Sequence, residues 1–195
     1  MILSDKMIKE AMAKGDIVID PFDPSALGSN SYDVHLGSTI LTYATGYPDI
    51  NEGRTTPNLV PRLLDCKVEH ETHAYEIGTD GIVLIPGTLY LGSTSEYTES
   101  LKHVPFLDGK SSIGRLGITI HCTAGRGDVL YKGHWTLEIH VVQPVRVYAG
   151  MPIGQLIYFE TGAPEQGYDS KPNAKYRDGR DPRPQASRMW MNFHK

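Results

Sequence analysis

Residues 109–117 (GKSSIGRLG) combine glycines, hydroxyl groups and two cations in a short stretch. Gly109 and Gly114 allow a ligand to approach the backbone closely, while Lys110, Ser112 and successive N–H groups can surround phosphate oxygens. The GxxxxGK[ST] spacing of a Walker loop is absent. Such clusters are most often surface turns between strands. The sequence therefore leaves two interpretations open, a simple turn or a phosphate-binding loop.

Two carboxylates follow this loop, in 121–133 (HCTAGRGDVLYKG) and 134–142 (HWTLEIHVV). Asp128 could hold a sugar hydroxyl, although the side chain could equally cap its own turn. Alternation along a strand would place Glu138 on the face opposite Leu137. A single glutamate on a strand usually just faces solvent. Because two loops suited to a ligand precede it, Glu138 becomes a candidate site residue.

The elements that must position these side chains are mostly strands. Residues 4–14 predict one amphipathic helix with Ser4 as its N-cap and Gly15 as its end. After it, short apolar runs alternate with glycine and proline, as in 81–94 (GIVLIPGTLYLGST) and 144–160 (PVRVYAGMPIGQLIYFE). This spacing predicts an all-β sandwich or distorted barrel of jelly-roll type.

Two polar segments interrupt the strand pattern within one predicted domain, 1–195. Residues 44–62 (ATGYPDINEGRTTPNLVPR) predict an insertion loop. Residues 161–188 hold four prolines and six lysines or arginines with little apolar content, which allows either a disordered tail or a cover for a ligand. The side-chain types favour the cover, so we expect a C-terminal lid over 161–195, opposite an N-terminal helix over 1–15.

Composition narrows the functional class. The formal net charge is −4 with 22% charged and 39% hydrophobic residues, which argues against a face for nucleic acid. No apolar run approaches the length of a membrane span. Cys66 and Cys122 form no CxxC pair, so free thiols in a reducing compartment are expected. An enzyme or binding protein of the cytoplasm follows as the prediction.

Taken together, GKSSIGRLG, HCTAGRGDVLYKG, TLE and GMPIGQL resemble the dCTP deaminase branch of the dUTPase/dCTP deaminase superfamily. ILSD at the start, NSYDVHLG at 30–37 and AKYRDGR with ASR near the end extend the resemblance over almost the whole chain. The resemblance implies a dUTPase-like β-barrel, a homotrimer with active sites between subunits, and deamination of dCTP to dUTP and ammonia. It also implies dTTP as a feedback inhibitor.

The same resemblance implies roles for individual residues. Glu138 would carry the proton, Ser111 and the Ala124 carbonyl would position the water, and Arg115 would orient Glu138. Asp128 would contact the deoxyribose 3′-hydroxyl. The remaining nucleotide contacts implied by the family are Lys110, Ser112, Ile113, Gly114, Thr136, Leu137, Gln155, Tyr168 and Lys175. Mg²⁺ would bind through the triphosphate only, and zinc is not expected because the H-x-E and P-C-x-x-C signature is absent.

Some positions depart from the family pattern, and one choice stays open. Relatives usually have an apolar residue where this chain has Gly127, and a glutamine near the position of Gly179 or Arg180. The TAG turn at 123–125 and Gln155 resemble the bifunctional branch, which also cleaves dUTP to dUMP and diphosphate, whereas Arg126 resembles the monofunctional one. The main prediction is dCTP deamination, with the bifunctional enzyme as the alternative. A dUTPase alone or a nucleotide-sensing regulator is a further alternative.

Overall fold

The computed structural model describes residues 1–44, 64–177 and 179–194. All but the first residue of the predicted 44–62 insertion therefore lies outside the described residues.

The described residues form thirteen short strands and little helix, as the alternating pattern predicts. The helices are α1 (Asp5–Ala13) and the single turn α2 (Ser111–Gly114), with 3₁₀ turns at Pro24–Ala26, Tyr168–Ser170 and Met189–Asn192. The strands are β1 (Ile17–Asp20), β2 (Tyr32–His35), β3 (Thr39–Tyr43), β4 (Thr72–Glu76), β5 (Ile82–Leu84), β6 (Tyr90–Ser93), β7 (Tyr97–Ser100), β8 (His103–Gly109), β9 (Ile118–Thr119), β10 (Tyr131–Gly133), β11 (Thr136–Val141), β12 (Val145–Val147) and β13 (Pro152–Glu160).

The strands pair antiparallel in four small sheets. Their orders are β1-β7-β10, β4-β3-β6-β11-β9, β12-β5 and β2-β13-β8. In the largest sheet β11 lies between β6 and β9, with Glu138 opposite Leu91 and His140 opposite Thr119. β13 is the centre of another sheet and places Gln155 between Asp33 of β2 and Asp108 of β8. The predicted all-β class is confirmed.

The N-terminal helix forms as its sequence predicts. The Ser4 side chain accepts a hydrogen bond from the Met7 N–H at 3.4 Å, which satisfies one of the free donors of the first turn. Ile8 and Ala11 lie on the buried face. Gly15 follows in a left-handed conformation with φ of 75°, the geometry that glycine adopts at little cost.

A single hydrophobic core joins the helix to the sheets. Its largest fully buried side chains include Tyr32, Tyr90 and Tyr158 together with leucines and isoleucines from most of the strands. In β11 the buried residues are Leu137, Ile139 and Val141, so Thr136, Glu138 and His140 lie on the other face. Packing of this strand therefore fixes where Glu138 is presented. No helix within the described ranges is long and apolar enough to cross a membrane.

Candidate active site

Two backbone N–H groups hold one oxygen of the Glu138 carboxylate. Oε2 accepts hydrogen bonds from the N–H of Cys122 at 2.8 Å and from the N–H of Thr123 at 3.1 Å. In the part of the chain that the structure describes, no group hydrogen-bonds Oε1. The carboxylate is thus fixed through one oxygen and can exchange a proton through the other.

The turn that supplies these N–H groups has an unusual backbone. Ala124 has a φ of 61°, in the left-handed region that residues with a side chain seldom adopt. Strain of this kind concentrates at functional sites, where the surrounding structure maintains it. Gly125 follows at close range, since a Cβ there would lie 2.5 Å from the carbonyl oxygen of Leu107. A residue with a side chain at position 125 would therefore collide with the barrel along this backbone path.

Gly127 explains one departure from the family pattern. A Cβ at this position would lie 2.6 Å from the ring of Trp135. Trp135 is buried, and its indole N–H donates to the Thr98 hydroxyl at 3.0 Å. The indole thus fills the space that a side chain at position 127 would take.

A cavity of about 490 Å³ opens in front of Glu138. Five of the residues predicted for the site line it: Ala124, Asp128, Thr136, Glu138 and Tyr168. Its other lining residues are Tyr43, Leu89, Leu91, Cys122, Arg126, Gly127, Tyr131, His134, Trp135, Tyr176, Gln185 and Ser187. The cavity combines aromatic walls with a few polar groups, as pockets for small molecules commonly do.

Three hydroxyl and thiol groups in the wall are held in their neutral form. Burial raises the pKa of Tyr131, whose hydroxyl donates to the His134 carbonyl at 2.9 Å. Burial is also the largest cause of the raised pKa of Tyr43. It likewise raises the pKa of the Cys122 thiol, with a smaller contribution from the Glu138 charge. At neutral pH these side chains therefore contribute hydrogen bonds and packing contacts and carry no charge.

The C-terminal segment covers the cavity, which supports the lid interpretation over a disordered tail. The Gln185 N–H donates to the Thr136 hydroxyl at 3.0 Å, and the Ser187 N–H donates to the Tyr43 hydroxyl at 2.9 Å. The Arg188 N–H donates to the Tyr176 hydroxyl at 3.1 Å. Main-chain donors of the segment thus bind side-chain hydroxyls around the cavity.

Gly179 brings the segment into direct backbone contact with the barrel. Its carbonyl accepts the His134 N–H at 3.0 Å, and it is buried against Gly133. A Cβ at position 179 would lie 2.2 Å from the Lys132 carbonyl oxygen and 2.4 Å from the Gly133 Cα. Glycine is therefore required where the family pattern has a glutamine nearby.

We expect Gly179→Ala to weaken the enzyme through its lid. The new Cβ meets backbone atoms, which cannot rotate away, so the segment has to move off β10. Misplacement on this scale is expected to lower kcat/KM by roughly 10- to 100-fold. Gly162→Ala is the matched control, because nothing lies within 4 Å of a Cβ there. Equal kinetics for both variants, measured by steady-state assays of dCTP turnover, would contradict the assignment of the segment as a lid.

The serine loop lies outside this cavity. Ser111, Ser112 and Arg115 are exposed in and just after α2, and their side chains hydrogen-bond no described residue. Ile113 is buried in the core beneath the turn. The structure of one chain therefore separates the predicted phosphate loop, including exposed Gly114, from Glu138.

Lys110 and Gln155 form a second polar group at the base of the loop. The Lys110 ammonium forms a close ion pair with Asp33, and the Gln155 amide donates to the other Asp33 oxygen at 3.0 Å. Leu137 is fully buried, and the Lys175 carbonyl accepts a hydrogen bond from the Arg188 guanidinium. Neither Leu137 nor Lys175 lines the cavity.

Several lining residues could not be found from sequence. Tyr43 ends β3, just before the segment outside the described residues, and Gln185 and Ser187 belong to the proline-rich tail. Tyr176, by contrast, is one of the tail residues whose types predict a cover over a nucleotide. No periodicity marks these positions. Only the side-chain types in the tail signalled that it could cover a ligand.

Comparison with known proteins identifies the family of this chain. The family profile described as dCTP deaminase-like matches residues 2–161. The chain belongs to the dCTP deaminase-like family. A protein of Clostridium acetobutylicum named "dCTP deaminase, dUMP-forming" is 44% identical over 193 residues, covering 99% of both chains. A protein of Cytophaga hutchinsonii with the same name is 42% identical over 195 residues, the full length of both chains.

The fold also matches a solved member of the family. The crystal structure of a 2′-deoxycytidine 5′-triphosphate deaminase from Agrobacterium tumefaciens superposes with a TM-score of 0.60 at 22% identity. The match covers 83% of this chain and 49% of that chain. The resemblance inferred from GKSSIGRLG and TLE is therefore confirmed, both for the family and for the fold.

Proposed function

We propose that this protein is a dCTP deaminase of the dUMP-forming kind, which converts dCTP through dUTP to dUMP and diphosphate. The observation that carries the proposal is the Glu138 carboxylate, fixed through Oε2 and open through Oε1 in a cavity that Asp128 and Thr136 also line. The names of full-length relatives favour this bifunctional reaction over deamination alone. The TAG turn and Gln155 favour the same reaction, whereas Arg126 favours deamination alone.

In the deamination step, Glu138 accepts a proton from water at Oε1 as the water oxygen bonds to C4 of cytosine. The same carboxyl group then protonates N3. It next takes the proton of the new C4 hydroxyl and gives it to the C4 amine, which leaves as ammonia as the C4 carbonyl forms. One carboxylate can serve in both directions because each proton that it accepts is released again, which restores its ionised form. Ala124 lines the cavity and has a left-handed backbone, and we assign its carbonyl to hold the attacking water.

A second subunit would supply the serine loop to this cavity. Ser111 and Arg115 are exposed and do not line the cavity of their own chain. A cyclic homotrimer lets the loop of one copy meet Glu138 of the next. Arg115 would then orient the carboxylate, Ser111 would hold the water, and Lys110 with Ser112 would bind phosphate oxygens.

The donor set of the loop is suited to phosphate. Ammonium, hydroxyl and N–H donors attract anions, so Mg²⁺ would be held by the triphosphate oxygens and by water. Bound there, the ion would neutralise phosphate charge while the bond between the α-phosphorus and the oxygen that bridges it to the β-phosphorus is cleaved. In that cleavage a water oxygen bonds to the α-phosphorus, the proton of the water is released to solvent and diphosphate leaves. We further propose dTTP as an inhibitor that occupies the same cavity. We also propose that the enzyme is cytoplasmic, because the exposed Cys66 and Cys122 are free thiols and such thiols are typical of a reducing compartment.

Analysis of the products tests this proposal. Purified protein is incubated with dCTP and Mg²⁺, and nucleotides, ammonia and diphosphate are quantified over time. We expect ammonia and diphosphate in equal amounts, dUMP as the final nucleotide, and slower turnover with excess dTTP. Accumulation of dUTP without dUMP would show that the protein deaminates dCTP but does not cleave dUTP. Binding of nucleotides without release of ammonia would overturn the proposal.

A further inference from the structure

A short part of the lid docks on the loop that carries Asp128. Gly167 packs so closely on Leu130 that a Cβ would lie 2.1 Å from its Cδ1 atom. The Tyr168 N–H donates to the Val129 carbonyl at 3.0 Å. Lys171 ends the 3₁₀ turn that begins at Tyr168. Main-chain contacts thus place the lysine side chain beside the Asp128 carboxylate.

The Lys171 ammonium binds one oxygen of that carboxylate. Its Nζ lies 3.1 Å from Oδ2 of Asp128, and no other side chain or N–H in the described ranges hydrogen-bonds the carboxylate. Oδ1 therefore stays available to a ligand. Asp128 also lies in the cavity wall with Glu138, at one edge of the space where a nucleotide would bind.

The ion pair contributes little to the free energy of unfolding. The side chains of Lys171 and Asp128 are 39% and 42% exposed, and pairs of this kind contribute little because water and salt screen them. What the pair does is geometric, since it selects one rotamer of Asp128 and ties that rotamer to the closed lid. An ion pair that connects a lid to a ligand-facing carboxylate can couple closure to recognition.

We propose that Lys171 is a positioning residue, which aims Asp128 at the 3′-hydroxyl of the sugar when the lid is closed. The inference rests on the proposed function and deepens it. In this proposal, Asp128 in the barrel and Lys171 in the lid together distinguish a 2′-deoxyribose from a sugar that lacks the 3′-hydroxyl. Lys171 does not itself touch the reacting atoms.

The test compares dCTP with 2′,3′-dideoxycytidine triphosphate in wild-type protein, Lys171→Met and Lys171→Arg. A hydrogen bond to a charged carboxylate predicts that the wild type prefers dCTP by about 10-fold or more in kcat/KM. In Lys171→Met we expect this preference to fall about 3- to 10-fold through a raised KM for dCTP, with the kinetics of the dideoxy substrate nearly unchanged. Lys171→Arg should restore the preference.

Lys132→Met is the matched control. Lys132 also forms a half-exposed ion pair, at 3.3 Å from Glu99, and does not line the cavity. The Lys132→Met protein should prefer dCTP over the dideoxy substrate as strongly as the wild type does. Thermal unfolding of each variant confirms that the chain stays folded.

The outcomes separate this inference from the proposed function. Equal losses on both substrates in Lys171→Met would show that the lysine only docks the lid, and would overturn the inference alone. So would an unchanged preference in that variant. A wild-type enzyme that deaminates both substrates equally would also remove the role of Asp128. Absence of turnover with dCTP would overturn both proposals.

Discussion

Replacing Glu138 with glutamine is expected to abolish turnover of dCTP while the protein stays folded and still binds the nucleotide. The amide oxygen can take the place of Oε2 and accept the N–H groups of Cys122 and Thr123. The amide nitrogen then stands in place of Oε1 and cannot accept a proton from water. Loss of proton transfer predicts a fall in kcat of about 10²- to 10⁴-fold.

The measurement is ammonia release, paired with a dCTP dissociation constant from calorimetry. Glu160→Gln serves as the control, because Glu160 is a half-exposed glutamate at the end of β13 and lies outside the cavity. It should keep wild-type activity. Glu138→Gln protein that retains more than about one tenth of wild-type kcat would remove Glu138 from its assigned role.

Arg115→Gln is expected to be nearly inactive by itself and to regain activity when mixed with Glu138→Gln. In the proposed homotrimer, each variant lacks one part of every site in its own assembly. If subunits exchange at random and each site takes Glu138 from one copy and Arg115 from the next, about one site in four is intact. The activity of the unfractionated equal mixture should therefore approach about one quarter of the wild-type value, and mixed trimers freed of both homotrimers should approach about one third, because one of their three sites is intact.

This complementation is measured after co-refolding or co-expression of two differently tagged variants, followed by isolation of the mixed assembly. A co-refolded mixture of Glu138→Gln with itself is the control and should stay inactive. Zero activity in isolated mixed trimers would show that Glu138 and Arg115 act within one chain. That result would contradict the shared site while leaving the family assignment in place.

The sequence predicted the parts of the site that lie on regular strands. Alternation in TLEIHV places Leu137 in the core and Glu138 outside it, because a strand has a period of two residues and one face of this sheet is buried. The Ser4 cap was equally accessible, since it depends on a local preference of the backbone.

The lid and the turn at Ala124 depend on contacts that leave no local signal. Residue types in 161–188 suggested a cover, yet the pairing of the Ser187 N–H with Tyr43 spans 144 positions of sequence and uses a main-chain donor that every non-proline residue has. A φ of 61° at Ala124 is similarly invisible, because alanine favours helix and strand conformations. Tertiary structure decides such features.

Trp135 and Gly127 have a consequence for how this family can diverge. Because the indole fills the space next to Gly127, a larger residue at one of these positions requires a change at the other. A lineage that gains an apolar residue at 127 must first shrink Trp135, and loss of a buried tryptophan alone costs about 3–5 kcal/mol. This cost is a large part of the stability of a small domain, which is about 5–15 kcal/mol. An apolar side chain at position 127 and the Trp135 indole therefore exclude each other in this fold.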